Sequence, residues 1–280
     1  MNTKKISVIT ASFNQGKYLK ENIKSVLNQN YQNFEHIIID GDSKDETIEI
    51  LKKYDHLNWI SEKDTGQAEA INKGFKMASG DIIAWLNSDD YYEPGTFTKI
   101  AKLIDCEKDR HVAMGDCNLV DEKGKFMRVF DNRELGFYDL LHYWVSHSVP
   151  SQPSVFFCRH IIHEFGYLDE KLTYALDYEF FLRIAQKYRF FHYKEVFANY
   201  RFHAESKSVT GGFFDKFWKE WELVSKKYRK KASFKIRLRL FVSKIVYLLG
   251  ITNYKLLVKV FGESKIEKTK NIFLKVLRKV

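Results

Sequence analysis

A chain of 280 residues with 45% hydrophobic content is long enough to bury one large domain, with or without an appendage, which excludes a chain unfolded for want of apolar residues. Its formal net charge of +10 is unevenly placed: residues 225–280 carry 17 Lys and Arg against two acids, which leaves residues 1–224 mildly acidic at −5. A mildly acidic body with a basic tail is expected, and no stacking-and-basic sheet motif accompanies the charge, so nucleic acid is not the expected partner.

The three cysteines, Cys106, Cys117 and Cys158, are odd in number and lack any Cys-x-x-Cys pairing. That argues against a disulfide framework or a zinc site and for a reducing cytoplasm. Met1 to Lys5 runs straight into a β-rich segment without an apolar leader. The longest apolar stretch, residues 241–251, is interrupted by Lys244 and falls short of the ~20 residues of a spanning helix. The expectation is a cytoplasmic protein, soluble or peripheral on the membrane face.

Residues 6–13 read as a strand punctuated by Asn14 and Gly16, after which Leu19, Ile23, Val26 and Leu27 share one helical face. A second strand, 34–40, ends in Gly41-Asp42-Ser43 and leads to a helix over about 45–54, with Ser43-Lys44-Asp45-Glu46 as its capping box. Residues 57–62 suggest a third strand. A helix then ends near Ala78-Ser79-Gly80, with Gly80 as a left-handed cap. The nearly continuous apolar run 81–86 has the pattern of a strand covered on both faces, and it delivers Asn87-Ser88-Asp89-Asp90.

This alternation predicts an α/β fold. In open sheets of that kind ligands sit outside the carboxyl ends of the strands, so Asp40 and Asp42, Asp64, and Asp89 and Asp90 converge on one crevice. Beyond it, 112–120 and 126–130 predict a hairpin, and Pro150 and Pro153 bracket a loop before 155–157. Residues 177–188 predict a helix. Gly211-Gly212 is the expected boundary before a helical segment from about 214 onward.

Asp89 and Asp90 offer the hard oxygen ligands that Mg²⁺ or Mn²⁺ takes beside a diphosphate, although alone the motif is equally a polar turn before Pro94-Gly95. Asp40 and Asp42 are either turn and cap residues or a recognition pair. In the second case Asp40 accepts a base's imide while Thr10, Ser12 and Phe13 frame base and ribose. Asp64 is a helix cap or orients a ribose or a Lys.

The ordered series resembles glycosyltransferase family 2. It comprises Ser7-Val8-Ile9-Thr10 with Ser12-Phe13-Asn14, then Ile39-Asp40-Gly41-Asp42-Ser43, then Asp64-Thr65-Gly66-Gln67 through Asn72-Lys73-Gly74, and Leu86-Asn87-Ser88-Asp89-Asp90. The resemblance covers about residues 5–205. It implies a nucleotide-diphospho-sugar transferase fold of the glycosyltransferase A type, a Rossmann-like mixed sheet flanked by helices, with a divalent metal and inversion at the anomeric carbon.

Carried over, it makes Asp40 the base-recognising residue, Asp90 the primary cation ligand, and Asp89 a ribose or second cation ligand. Asn14, Asp42, Gln67 and Asn72 join the donor side. Asn87 stands where many members have Asp, so it is expected beside the cation only as a neighbour. Asp177 resembles the catalytic base that takes the acceptor's proton, with Glu179 as the alternative. Arg201 and His203, in Tyr200-Arg201-Phe202-His203, resemble a basic pair that reaches the diphosphate. Gln152-Pro153 resembles an acceptor-side loop, with Trp144 and the nearby His142 and His147 on the same side.

The implied organisation is a catalytic domain over 1–212, its donor half ending near 110, and a basic helical extension over 213–280. The expected activity is transfer from a nucleoside-diphosphate sugar, UDP by preference, to a glycan or lipid-linked glycan in cell-surface polysaccharide synthesis. The alternative is an inactive sugar-nucleotide-binding or membrane-surface scaffold. The tail suits an anionic membrane, where each cation near the surface adds about 1 kcal/mol, and it equally suits packing on the core or an oligomer interface.

Overall fold

The computed structural model describes residues 3–143, 149–207 and 216–245. Trp144, His147, Gly211-Gly212 and the tail from residue 246 lie outside the described residues. The strands are β1 (Ile6–Ser12), β2 (Phe34–Asp40), β3 (Leu57–Ser61), β4 (Ile82–Trp85), β5 (Tyr91–Tyr92), β6 (Val112–Val120), β7 (Phe126–Phe130), β8 (Val155–Cys158) and β9 (Phe191–Arg201). The helices are α1 (Gly16–Leu27), α2 (Thr47–Leu51), α3 (Gln67–Met77), α4 (Thr96–Leu103), α5 (Phe137–Leu141), α6 (His160–Phe165), α7 (Leu176–Ala185) and α8 (Trp218–Arg229).

The strands form one mixed sheet in the order β3-β2-β1-β4-β8-β6-β9-β5, with β7 paired to β6. The first four are parallel, and β8 turns the sheet antiparallel against β4 and β6. Alternate residues serve opposite faces, as strand geometry requires. Ile9, Ile37, Ile39, Ile83 and Trp85 join Ile71, Phe75 and Phe180 on one side, while Ile6, Val8, Ile82 and Ala84 join Phe97, Ile100 and Phe197 on the other. This double cover is why β4 is buried at every position.

Three local expectations change. The helix after β2 spans only Thr47–Leu51, and Ser43 does not cap it, because the Ser43 hydroxyl donates to Asp40 Oδ1 (2.5 Å). Asp45 Oδ1 accepts the Thr47 N–H instead (3.1 Å). Gly80 is absent from the positive-φ glycines. A Cβ there would lie 2.6 Å from Ser7 Oγ and 2.8 Å from Lys5 O, so Gly80 serves close approach of two backbones and not a left-handed cap.

The cysteine expectation is also corrected: Cys106 and Cys158 form a disulfide across a sequence separation of 52, with Cα atoms 5.8 Å apart. The pairing arises because the loop after α4 folds back onto the end of β8, a contact invisible in the spacing. Cys117 is buried and free.

The helical segment after the second half packs on the core. Val224, Tyr228, Ala232 and Leu240 belong to the main cluster, and Trp221 stacks on Tyr178 with ring centroids 4.6 Å apart. Packing is thus observed for part of residues 216–245, while Phe234, Leu238 and Phe241 stay exposed. Among the described residues, no helix is long and apolar enough to cross a membrane.

Candidate active site

The carboxyl ends of β1 and β4 open into a crevice of about 1140 Å³, closed on its far side by the loop before α7, by the end of β9 and by the start of α8. Ser12, Phe13, Asp64, Gln67, Asn87 and Asp89 line the sheet side. Gln152, Asp177 and His203 face them from the second half.

Asn87 organises the floor. Its Oδ1 accepts from Gln67 Nε2 (2.8 Å) and Trp85 Nε1 (3.0 Å), and its Nδ2 donates to Gln152 Oε1 (3.0 Å) and Asp90 Oδ2 (3.3 Å). Both lone-pair directions of the amide oxygen are thereby used, so Asn87 positions its neighbours and has no oxygen to offer a cation.

Asp89 and Asp90 then part ways. Asp90, expected as the primary cation ligand, is fully buried and does not line the crevice. Its Oδ1 accepts the Arg201 N–H (2.9 Å) and its Oδ2 faces Asn87. Burial, and after it the charge of Asp89, holds its carboxyl well above the usual range. Asp89 instead faces the crevice, with Oδ2 3.0 Å from His203 Nε2.

Arg201, expected at the diphosphate, is equally buried. Its Nε donates to Asp89 O (3.0 Å), Nη1 to Glu122 O (2.8 Å) and Nη2 to Glu21, and its guanidinium lies 5.2 Å from the ring centroids of both Tyr18 and Tyr91. It clamps the Asp89-Asp90 turn from behind.

Several other expected donor contacts are structural. Asp40 is fully buried, with Oδ1 on the Ser43 hydroxyl and Oδ2 on Ser43 N (2.9 Å) and Ser61 Oγ (2.7 Å), so it holds the β2 turn rather than facing the crevice. Thr10 is buried against His36 (3.0 Å). Asn14, at φ 51°, caps the turn by accepting the Lys44 N–H, and Asp42, at φ 66°, pairs with the Lys44 ammonium. Asn72 binds the backbone of Leu168 at both N–H and C=O and so anchors the loop before α7.

Asp64 does face the crevice. Its Oδ1 accepts the Gly66 N–H (3.0 Å), and burial raises its pKa. Phe13 beside it is 61% exposed.

On the opposite wall Asp177 lies in the first turn of α7 and is half-buried. The Tyr178 N–H donates to its Oδ1 (2.7 Å), and burial pushes its pKa up to about 6. Glu179, the alternative base, points into the core, with Oε2 on Arg183 Nε (2.8 Å) and Oε1 accepting from the Tyr228 hydroxyl (2.5 Å). His142 is likewise buried, against Ser243, and does not line the crevice. Gln152 is held by Trp85 O (2.5 Å) and keeps its place on the wall.

Sequence reasoning missed the aromatic wall and a cation. Tyr143, Tyr174, Trp218 and Trp221 line the crevice on the side of Asp177, and Lys207 projects nearby. Trp218 and Trp221 stand at helical i, i+3 spacing, a signal masked by the cations that follow them in the segment. Glu220 between them accepts the N–H groups of Thr173 (3.0 Å), Tyr174 and Ala175 (2.6 Å), which fixes the approach to Asp177. Glu220→Ala is expected to cost about 1–3 kcal/mol by leaving these donors unpaired, and Glu220→Gln clearly less, as urea denaturation would measure.

Ser12 Oγ, Gln15 Oε1 and His203 Nδ1 are buried without a hydrogen-bond partner among the described residues, and all three residues line the crevice. Such groups are ordinarily satisfied, so they fit a polar ligand. Asp89 and His203 supply an oxygen and a nitrogen donor within 3.0 Å of one another, a set that fits Mn²⁺ or Mg²⁺ completed by phosphate oxygens and water.

The sheet order and strand-end crevice define a fold of the glycosyltransferase A type. It is shared with S. aureus TarS, whose 1–349 fragment in complex with UDP-GlcNAc matches at TM-score 0.61 and 21% identity, over 79% of this chain and 65% of that one. A Pyrobaculum calidifontis mannosyltransferase in complex with GDP-mannose and Mn²⁺ matches at TM-score 0.56 and 16% identity, over 99% and 87%. The model of glycosyl transferase family 2 matches residues 7–161, and the chain belongs to that family. An uncharacterized glycosyltransferase of Methanocaldococcus jannaschii is 30% identical over 204 residues, 70% of each chain. The match to a longer relative from Rickettsia conorii, 26% identical over 72% of this chain, spans 35% of that protein.

Proposed function

We propose that this chain is an inverting glycosyltransferase that moves a sugar from a uridine-diphosphate donor to a hydroxyl of a glycan or lipid-linked glycan. The observation that carries this is the meeting, in one crevice, of Asp89 with His203 on the donor side and Asp177 on the other. The exposed Phe13 ring and Asp64 suit the base and ribose, in place of Asp40.

Asp89 and His203 would hold a divalent cation, which when bound neutralises charge developing on the leaving diphosphate. Asp177 accepts the acceptor's hydroxyl proton as that oxygen bonds to the anomeric carbon and the bond from carbon to phosphate oxygen breaks, its electron pair leaving with the diphosphate. No covalent nucleophile is required. Tyr174, Trp218 and Trp221 supply apolar faces against which an acceptor sugar ring packs.

A lipid-linked acceptor, and with it cell-surface polysaccharide synthesis at the cytoplasmic membrane face, is favoured by the helical residues 234–245. There Phe234, Leu238 and Phe241 are exposed beside Arg237 and Arg239.

A panel of nucleoside-diphosphate sugars, scored by thermal shift and by donor hydrolysis with and without Mn²⁺, tests the proposal. UDP-sugars with Mn²⁺ should raise the Tm most and be slowly hydrolysed. No shift with any donor would sink it, and a shift without hydrolysis or transfer would favour the scaffold alternative.

A further inference from the structure

At the end of the sheet opposite the crevice, Cys158 closes β8 and pairs with Ile82 at the start of β4. Its N–H donates to His111 O (2.9 Å), which brings the residue before β6 alongside it. His160, two residues on, opens α6. The metal-ligating atoms of His111, Cys158 and His160 all lie within 4.8 Å of one another, and Cys106 is bonded to Cys158, so a second sulfur adjoins the cluster.

Four such donors from three separate elements exceed what a disulfide needs. His111 Nδ1 is buried with no hydrogen-bond partner among the described residues, which is uncommon for a polar atom unless a ligand is to satisfy it. The two imidazole rings meet edge to face at 5.0 Å, and Tyr188 packs at 4.4 Å from the His111 ring and 6.0 Å from the His160 ring, walling the cluster on one side. Metal–ligand bonds of about 2.3 Å to sulfur and 2.0–2.1 Å to nitrogen place tetrahedral ligand atoms roughly 3.3–3.8 Å apart. The spread of the His111, Cys158 and His160 ligand atoms is within about an ångström of that, and the Cys106 sulfur, once its bond to Cys158 is reduced, has to swing in as the fourth ligand.

We propose that in the reduced chain Cys106, His111, Cys158 and His160 bind one Zn²⁺ as a structural Cys₂His₂ site. It is separate from the crevice, where the donors are a carboxylate and one imidazole. The disulfide and the zinc site are alternative states of the same pair. A dithiol reductant gives two electrons and two protons to the sulfur–sulfur bond and becomes a disulfide itself. Zn²⁺ then binds two thiolates and two neutral imidazoles as the two thiol protons pass to solvent. The bound ion ties the loop after α4 to the β8–α6 junction, as the disulfide does in the oxidised chain.

The test uses the full chain, reduced with a dithiol, desalted without air and titrated with Co²⁺. One equivalent should give the visible bands of a tetrahedral ion and a near-ultraviolet sulfur-to-cobalt charge-transfer band. Zn²⁺ should displace both. Cys158→Ser should lose the charge-transfer intensity, and the His111→Ala, His160→Ala double variant should lose the tetrahedral bands while still able to form its disulfide, so that its oxidised form reports on folding. Asp89→Asn should leave the spectrum unchanged. A folded, fully reduced chain that shows no thiolate–cobalt band, or a double-histidine variant with the wild-type spectrum, would overturn the assignment.

Discussion

Asp177→Asn is expected to lower kcat by about 10²–10⁴, the usual contribution of a positioned general base, while the KM for donor changes little. The pH profile identifies the cause. Burial pushes the Asp177 carboxyl up to about 6, and only its ionised form can take a proton. Wild-type kcat/KM should therefore climb with pH to a plateau above about 6, and the variant should lose that limb. Stability runs the opposite way. A carboxyl whose folded pKa exceeds its ordinary 3.8 favours the folded state in its protonated form, a contribution fully present below 3.8 and lost as pH rises through about 6. Asn removes the loss, so at pH 8 the variant should melt no lower than wild type. A variant with a wild-type pH limb would assign the base elsewhere, and one that melts well below wild type would owe its lost activity to folding.

Much of the scaffold was legible because periodicity and strand-end position are local properties. The alternation of strands and helices, the hairpin of β6 and β7 and the fully buried β4 all follow from apolar spacing. Which carboxylates face the crevice did not, because Asp40, Asp64, Asp89 and Asp90 are equivalent in a string of letters. Their fates depend on partners far away in sequence: Ser61 for Asp40, Arg201 for Asp90, His203 for Asp89. Glu179 is set apart from Asp177 by the Tyr228 hydroxyl, which comes from a distant segment with a basic overall composition. The pairing of Cys106 with Cys158 was hidden for the same reason, since it is created by the fold of a loop onto the end of an interior strand.

That same non-locality yields a sharp contrast between two adjacent acids. Asp89→Asn removes the carboxylate that shares the crevice with His203. It should lower metal-dependent turnover by about 10²–10³, comparable to losing one electrostatic contact to a developing charge, and should weaken Mn²⁺ binding measured by electron paramagnetic resonance. The Tm should hardly move, because Asp89 faces the crevice rather than the core. Asp90→Asn should behave otherwise. Burial and the charge of Asp89 both favour the neutral form of its carboxyl, and an amide oxygen can still accept the Arg201 N–H. Turnover should stay within about tenfold of wild type, since a neutral accepting group is kept. Asp90→Ala, by contrast, should cost about 1–3 kcal/mol by stranding the buried Arg201 N–H, with turnover falling as the Asp89 turn loosens. If Asp90→Asn abolishes Mn²⁺ binding as completely as Asp89→Asn does, the cation rests on Asp90 after all, and the turn must open to admit it.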